Sequence, residues 1–314
     1  VCSLPCPKIF HNAQYDVGWL EASGITVNGP IIDTMIAAAL IDENRYQYSL
    51  NSLSVDYLGE IKAETELREA AAAHGIDPKA EMWKLPAEHV GYYAEQDARL
   101  TYLLWQRFKH EISKQNLGTI WNLERDLLPI LIKMRQKGIR VNKEKAEQLK
   151  DNFIKKEKVI LQQINKLVGK DVDIWNARQI GFAFDRLNIE YPKTPKSGEP
   201  SFTQNWLVNS EHEISKFIVQ AREINKFHNT FLNSIMKYEH NGRIHGEINQ
   251  LRSDSGGTVS GRLSMSNPNL QQLPARNKEF GPMIRGLFLP EEGDLWASFD
   301  YSQQEPRLVV HYAA

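Results

Sequence analysis

The sequence predicts an α/β layer at the N-terminus, a run of long helices in the middle, and a return to extended structure toward the C-terminus. Three observations predict it. Short apolar runs alternate with helix-period stretches from residue 1 to about 115, the pattern of strands feeding helices. A Lys-, Glu- and Gln-rich helical pattern then extends to about residue 168. Beyond residue 240, glycine, serine and asparagine accumulate until an apolar, strand-like run appears at residues 295–299.

Each element has a local reason. "KIFHN" reads as a short strand running into a polar corner, and "YDVGWLEASG" as the apolar start of a helix. "IIDTMIAAALIDEN" is a second strand-to-helix passage, through Asp33. Leu50, Leu53 and Leu58 stand at helical spacing, with Gly59 as the C-cap. "PAEHVGYYAEQDARLTYLLWQRFKHEI" is the strongest helix of this half, with Val90, Tyr93, Leu100 and Leu104 on one stripe. "NLERDLLPILIKMRQKGIRVN" opens the long helices, the first of them ending at Gly138. "PKTPKSGEPS" at 192–201 holds three prolines and a glycine and reads as a loop. A helical run over 208–238 follows, then strand and a Gly/Ser/Asn-rich extended region.

The 314 residues are enough for two domains, and 41% hydrophobic with 25% charged residues is ordinary globular composition. Charge is unevenly spread. Residues 1–129 hold 11 basic and 18 acidic side chains, residues 130–170 hold 12 and 4, and residues 171–314 hold 15 and 17. A basic segment between acidic ones suits a polyanion-gripping element, but on charge alone a solvated helix face is the better account. The two cysteines, Cys2 and Cys6, exclude a disulfide framework and fit a reducing compartment. There is no apolar stretch near 20 residues and no signal-peptide pattern, which speaks against a membrane role. The chain opens on Val and is already strand-like at 8–10, so a piece cut at both ends is expected.

In "HNAQYDVGWL", Asn12 and Asp16 are four apart at a helix start and can face one cleft. Taken alone, Asp16 is explained by the helix macrodipole. In "YYAEQDARL", Tyr93 and Asp97 are again four apart, on a helix whose other face is apolar. A carboxylate there can bind a divalent cation and a phenol one turn earlier can orient a water. Together with Asp33, the order Asn-x-x-x-Asp then Tyr-x-x-x-Asp resembles the second and third motifs of the 3′–5′ proofreading exonuclease domain in family A DNA polymerases, the bacterial DNA polymerase I type. The resemblance implies Asp16 and Asp97 as metal ligands, Tyr93 as the residue positioning the attacking water, and Asn12 as a DNA contact. Two metal ions about 4 Å apart would serve the cleavage. That scheme also needs an Asp-x-Glu pair on the first strand, and "VCSLPCPKIF" has no acid, so this motif is expected upstream or absent.

The same family is resembled at the other end. "DYSQQEPRLVVHYA" is similar to the palm motif in which an aspartate leaves a buried strand to bind catalytic Mg²⁺. This implies Asp300 as catalytic ligand, the Tyr301 carbonyl as a further ligand, Glu305 as the wall at the sugar 2′ position, and Arg307 as the brace of the corner. Gln304 and Pro306 stand where Ile and Leu are usual in the family. Ser302-x-x-Glu305 also satisfies a capping box, which would not account for Asp300. "TVSGRLSMSNPNLQQLPARN" is the most specific string, similar to the segment lying along the primer–template duplex. It implies Thr258, Arg262, Asn269 and Gln271 as DNA contacts on minor-groove acceptors. Arg285, in "MIRGLF", matches an arginine near the incoming triphosphate.

The fold class expected from the resemblance is α/β: a ribonuclease H-like 3′–5′ exonuclease domain over residues 1–118, then a helical thumb over about 119–240 and the start of a polymerase palm over about 241–314. The implied function is DNA-directed DNA polymerase with proofreading in replication or repair, the chain being a truncated fragment inactive alone. A fingers helix and a second palm aspartate would follow residue 314. Implied cofactors are two Mg²⁺ per site, with Mn²⁺ as a substitute. Implied partners are primer–template DNA, deoxynucleoside triphosphates and a single-stranded DNA 3′ end, in the cytoplasm of a bacterium or phage-infected host. Two other readings compete on the same residues. A stand-alone DnaQ-like or ribonuclease D-like exonuclease would lack "TVSGRLS" and "DYSQQE", and a non-catalytic DNA-binding scaffold would not need Asp16, Tyr93, Asp97 and Asp300.

Overall fold

The computed structural model describes residues 1–62, 64–254, 256–275 and 277–313. In chain order its elements are β1 (Lys8–Phe10), α1 (Ala13–Ala22), β2 (Ile31–Asp33), α2 (Thr34–Ile41), α3 (Leu50–Leu58), α4 (Thr65–Ala73), α5 (Ala87–Lys114) and α6 (Gly118–Lys137). There follow β3 (Ile139–Val141), α7 (Lys143–Val168), α8 (Ala177–Arg186), α9 (Gln204–Asn209), α10 (Glu213–Lys226) and α11 (Asn233–Tyr238). The remainder holds β4 (Glu239–His240), β5 (Arg243–Ile244), β6 (Glu247–Asn249), β7 (Ser264–Ser266), α12 (Phe280–Arg285), β8 (Phe288–Leu289) and α13 (Gln304–Ala313). The chain divides into two compact units, Val1–Gly138 with His245–Leu273, and Ile139–Ile244 with Pro274–Ala314. Helix α6 and the segment 245–273 thus pack with the N-terminal layer.

In the first unit β1 and β2 pair in parallel, from Lys8 opposite Ile31 to Phe10 opposite Asp33, with α1 as the crossover. Parallel neighbours need such a connection, and burial on both faces explains the apolar "IID". Val17 of α1, Ile36 of α2, Leu53 of α3, Leu100, Leu104 and Phe108 of α5, and Leu128 of α6 close one core around the pair. Helix α5 serves two clusters. Its C-terminal part buries Leu100, Leu104, Phe108 and Ile112 in the main core, while Val90 and Tyr93 lean on a satellite of Leu67, Ala70, Ala71 and Leu85. Gly59 caps α3 at φ 70°, as its position after Leu58 predicts. Strands β6 and β7 pair antiparallel in the same unit.

In the second unit α7 starts at Asn142, whose Oδ1 accepts the Lys145 N–H at 2.8 Å, and ends at Gly169 in the left-handed region. Its apolar face meets α10 and α11. Phe227 and Phe280 stand 4.9 Å apart, and Phe153 lies 5.2 Å from Phe280. The helical run predicted over 208–238 is interrupted: α10 passes into a π-helical stretch over Phe227–Leu232 before α11. His228 there pairs with Glu157 of α7 at 2.5 Å, which satisfies a buried polar group. A four-stranded sheet of order β4-β5-β3-β8 completes this unit.

One expectation fails. Residues 295–300 form no regular secondary structure, and Leu295 and Phe299 are 93% and 95% exposed. A strand needs a ladder partner, and none of the described residues supplies one to this run. The helix that follows, α13, buries none of its apolar side chains, so Asp300, expected to leave a buried strand, sits at an exposed corner. No helix among the described residues is long and apolar enough to cross a membrane.

Candidate functional site

The corner after β1 is built around Asp33, 3% exposed, where β2 meets α2. Its carboxylate accepts three backbone N–H groups: Asn12 at 3.1 Å, Ala13 at 2.7 Å and Met35 at 2.8 Å. One side chain therefore ties the starts of α1 and α2 together, and its charge is answered by aligned amide donors. Asn12 can take the turn because asparagine tolerates the left-handed region, here φ 70°. Thr34 donates to the Phe10 carbonyl at 3.1 Å, and His11 Nδ1 lies 2.9 Å from the Thr34 hydroxyl. Burial pushes His11 below its ordinary value, against the raising pull of Asp33, Asp254 and Asp97.

With the corner fixed, the first turn of α1 points Asp16 into a cleft of about 1040 Å³. Asn12, Lys62, Asp97, Thr101 and Asp254 line the same cleft. Burial first, and then the charge of Asp33, raise the Asp16 carboxyl from 3.8 to about 6. Asp97 comes from α5, one turn after Tyr93. Asp97 Oδ2 pairs with Lys62 Nζ at 2.8 Å, while Oδ1 is buried with no hydrogen-bond partner among the described residues. Lys62 also donates to the Tyr93 hydroxyl. Burial opposes the Lys62 charge, yet the hydrogen bonds and charges of Asp97 and Tyr93 prevail and hold it above the ordinary lysine value. Tyr15 and Trp19, on the cleft side of α1, are 59% and 63% exposed.

The cleft thus gathers Asn12, Asp16 and Asp97, and Tyr93 joins it through Lys62. Sequence reasoning missed Lys62 and Asp254. Lys62 lies in a connection without periodicity, between α3 and α4. Asp254 sits in the Gly/Ser/Asn-rich extended region, four residues before the string that opens at Thr258, and its carboxylate accepts the Tyr48 backbone N–H. The donors suit a hard divalent cation in part. An unpartnered buried oxygen on Asp97 and an Asp16 carboxyl that resists charge both gain from one. Yet among the described residues no three His, Cys, Asp or Glu side chains are grouped to hold a metal. Two carboxylates make an incomplete donor set.

The remaining predicted residues fall into three places. Thr258, Arg262, Asn269 and Gln271 share one loop region of the first unit. Thr258 donates to the Arg262 carbonyl at 2.8 Å. Asn269 accepts the Gln271 N–H at 3.0 Å, while the Gln271 side chain bonds the Met265 N–H and the Leu263 carbonyl. Much of their polarity is therefore spent on holding the loop, with Arg262 exposed. Asp300, Tyr301, Glu305 and Arg307 follow one another along the exposed corner before and within α13, and Arg285 is exposed at the end of α12.

Comparison with known proteins separates the two halves. A family model described as 3′–5′ exonuclease matches residues 3–113, and one described as DNA polymerase family A matches residues 143–314. A DNA-directed DNA polymerase of Pseudomonas phage M6 is 40% identical over 314 residues, covering 96% of this chain and 47% of the relative. DNA polymerase DpoZ of Acinetobacter phage SH-Ab 15497 is 33% identical, covering 96% and 53%. DNA polymerase I of Chloroflexus aurantiacus is 30% identical, covering 97% and 32%. The chain spans about half the length of the phage relatives it matches. Among solved structures, the POL domain of Pol1 from M. smegmatis, in complex with DNA primer-template and dNTP, aligns at TM-score 0.72 and 23% identity over 93% of this chain and 47% of that one. That likeness is one of fold.

Proposed function

Because the chain belongs to DNA polymerase family A, we propose that it carries the proofreading half and the first polymerase elements of a DNA-directed DNA polymerase. Residues 1–118 are the 3′–5′ exonuclease domain, about 119–240 the thumb and about 241–314 the first part of the palm. The observation that carries the reading is the convergence of Asp16 and Asp97, from helices α1 and α5, on one open cleft. Both lie inside the stretch matched as exonuclease, and a polymerase match in the same chain disfavours a stand-alone nuclease.

In this reading the cleft takes a single-stranded DNA 3′ end. Asp16 and Asp97 would supply part of the donor set for Mg²⁺, two ions per site, with Mn²⁺ as a substitute. Bound metal supplies charge stabilisation to the attacking and leaving oxygens of phosphodiester hydrolysis. Tyr93 orients the attacking water through its hydroxyl, and Asn12 touches the strand. On the polymerase side, Asp300 and the Tyr301 carbonyl would contribute ligands to Mg²⁺, and Glu305 closes the space at the 2′ position. Arg285 and Arg307 serve the triphosphate and its corner. Thr258, Arg262, Asn269 and Gln271 meet primer–template DNA, and the exposed lysines of α7 track its phosphates. The place of work is the cytoplasm of a bacterium or infected host.

The test uses the full-length protein. Asp16→Ala or Asp97→Ala should abolish 3′–5′ excision from a labelled single strand and leave template-directed extension by deoxynucleotides intact. If both activities fall together while the thermal unfolding profile is unchanged, the assignment of two separate sites is wrong.

A further inference from the structure

Among the described residues lining the cleft, Lys62 is the one lysine or arginine. Nothing in its local sequence asks for it. Its backbone N–H is fixed by the Asn51 side chain at 3.0 Å, and its own side chain is only 12% exposed. From there the ammonium reaches two groups at once. It pairs with Asp97 Oδ2 at 2.8 Å and donates to the Tyr93 hydroxyl. It also stands 4.1 Å from the centre of the Tyr93 ring, close enough for a cation–π contact that adds to the clamp.

The donor chemistry gives this arrangement a direction. An ammonium has three donors and no acceptor, whereas a phenol has one donor and two acceptor lone pairs. Lys62 therefore occupies a lone pair of Tyr93 and leaves the phenolic proton available. On Asp97 it takes Oδ2 and leaves Oδ1, the buried oxygen without a partner. We propose that Lys62 is a positioning residue of the excision site, clamping Asp97 and Tyr93 so that one carboxylate oxygen and one phenolic O–H remain for the reacting groups. The inference rests on the exonuclease reading above and adds the residue that orders its two α5 members.

The competing account is a plain ion pair that holds the 59–65 connection against α5. The two differ in what a neutral substitute does. In the full-length protein, Lys62→Met keeps length and apolar bulk while removing the donors. We expect kcat for excision of a single-stranded 3′ end to fall on the order of 10- to 100-fold, because small misplacements of reacting groups cost that much. KM for the strand and the rate of primer extension should hold. Lys62→Arg, which keeps a cationic donor, should recover part of the loss. A second readout is independent of turnover: Mn²⁺ affinity, measured by calorimetry on wild type and Lys62→Met. With the ammonium gone from Asp97 a dication meets less repulsion, so binding should tighten even as excision slows.

An undiminished excision kcat in Lys62→Met overturns the proposal. So does a fall in kcat matched by weaker Mn²⁺ binding and a lower unfolding temperature, which is the signature of the plain ion pair. Should Lys62→Met fail to fold, Lys62→Leu carries the same expectations, being neutral and without a donor. Asp97→Ala is run alongside. If that variant still excises, the exonuclease reading fails. If it is inactive and Lys62→Met matches wild type, only the role of Lys62 fails.

Discussion

The Asp33 carboxylate accepts the Ala13 backbone N–H at 2.7 Å and so fixes the first turn of the helix that carries Asp16. Two more amides, of Asn12 and Met35, share the same carboxylate. Asp33 lies in the run of acids that carries the family resemblance, but its oxygens are taken. Its work is to hold a corner.

Asp33→Ala should therefore cost about 1–3 kcal/mol or more, since the buried Ala13 donor left unpaired costs that much and the part-buried Asn12 and Met35 donors add to it. Asp33→Asn keeps an acceptor oxygen and should be milder. Urea unfolding of the two variants checks the order. An alanine variant within about 0.5 kcal/mol of wild type, the range of ordinary surface changes, would refute the anchoring role.

Asp16 sets a pH dependence with a definite sign. Its carboxyl titrates near 6 in the folded chain and near 3.8 as a free group, through burial and then the charge of Asp33. Between those values the folded state keeps a proton that the unfolded state has released. Its contribution to stability is thus greatest below about 3.8 and is lost as pH climbs through about 6. In a chelator, Asp16→Asn should gain on wild type as pH rises from about 4 to 7, and added Mg²⁺ should shrink that gain by favouring the carboxylate. A difference between the two proteins that stays flat with pH would count against the buried carboxylate.

Tyr93→Phe isolates one hydroxyl. The ring stays against the satellite cluster of Leu67 and Leu85, so the unfolding midpoint should barely move. Excision should slow by roughly 10- to 100-fold through lost orientation, a smaller effect than Asp97→Ala. A phenylalanine variant as inactive as Asp97→Ala would mean that the hydroxyl does more than orient a water.

What the sequence displayed was periodic or local. The stripe through Leu100 and Leu104 marks the buried face of α5, and four-residue spacing places Asn12 with Asp16 and Tyr93 with Asp97. These follow from helix geometry and need no partner to be legible. Lys62 and Asp254 reach the cleft through tertiary packing from connections with no period of their own, so nothing local announces them. The short β3 after Gly138 was hidden for a related reason, since its three residues become a strand through β5 and β8. The apolar run at 295–300 erred the other way: its pattern suits a strand, but a pattern cannot supply the ladder.

Glu305 offers the sharpest test on the polymerase side, because its two accounts predict different measurements. The capping box needs Ser302 at the N-cap and Glu305 three residues into the helix. Helix α13 instead begins at Gln304, and Gln303, at φ 52°, directly precedes it. Glu305 is exposed in the first turn, where its charge suits the helix dipole. If it only serves the helix, Glu305→Ala should cost about 0.5–1 kcal/mol and leave the preference for deoxynucleotides untouched. If it walls off the 2′ position, the same change in the full-length enzyme should admit ribonucleotides, at some cost to deoxynucleotide use. Glu305→Gln keeps the bulk and loses the charge, so a steric wall should survive it. Steady-state incorporation of the two sugars decides between these accounts, with thermal unfolding as the second axis. We expect the alanine variant to relax sugar discrimination and the glutamine variant to retain most of it. A stability loss with unchanged discrimination would leave Glu305 as a helix residue and nothing more.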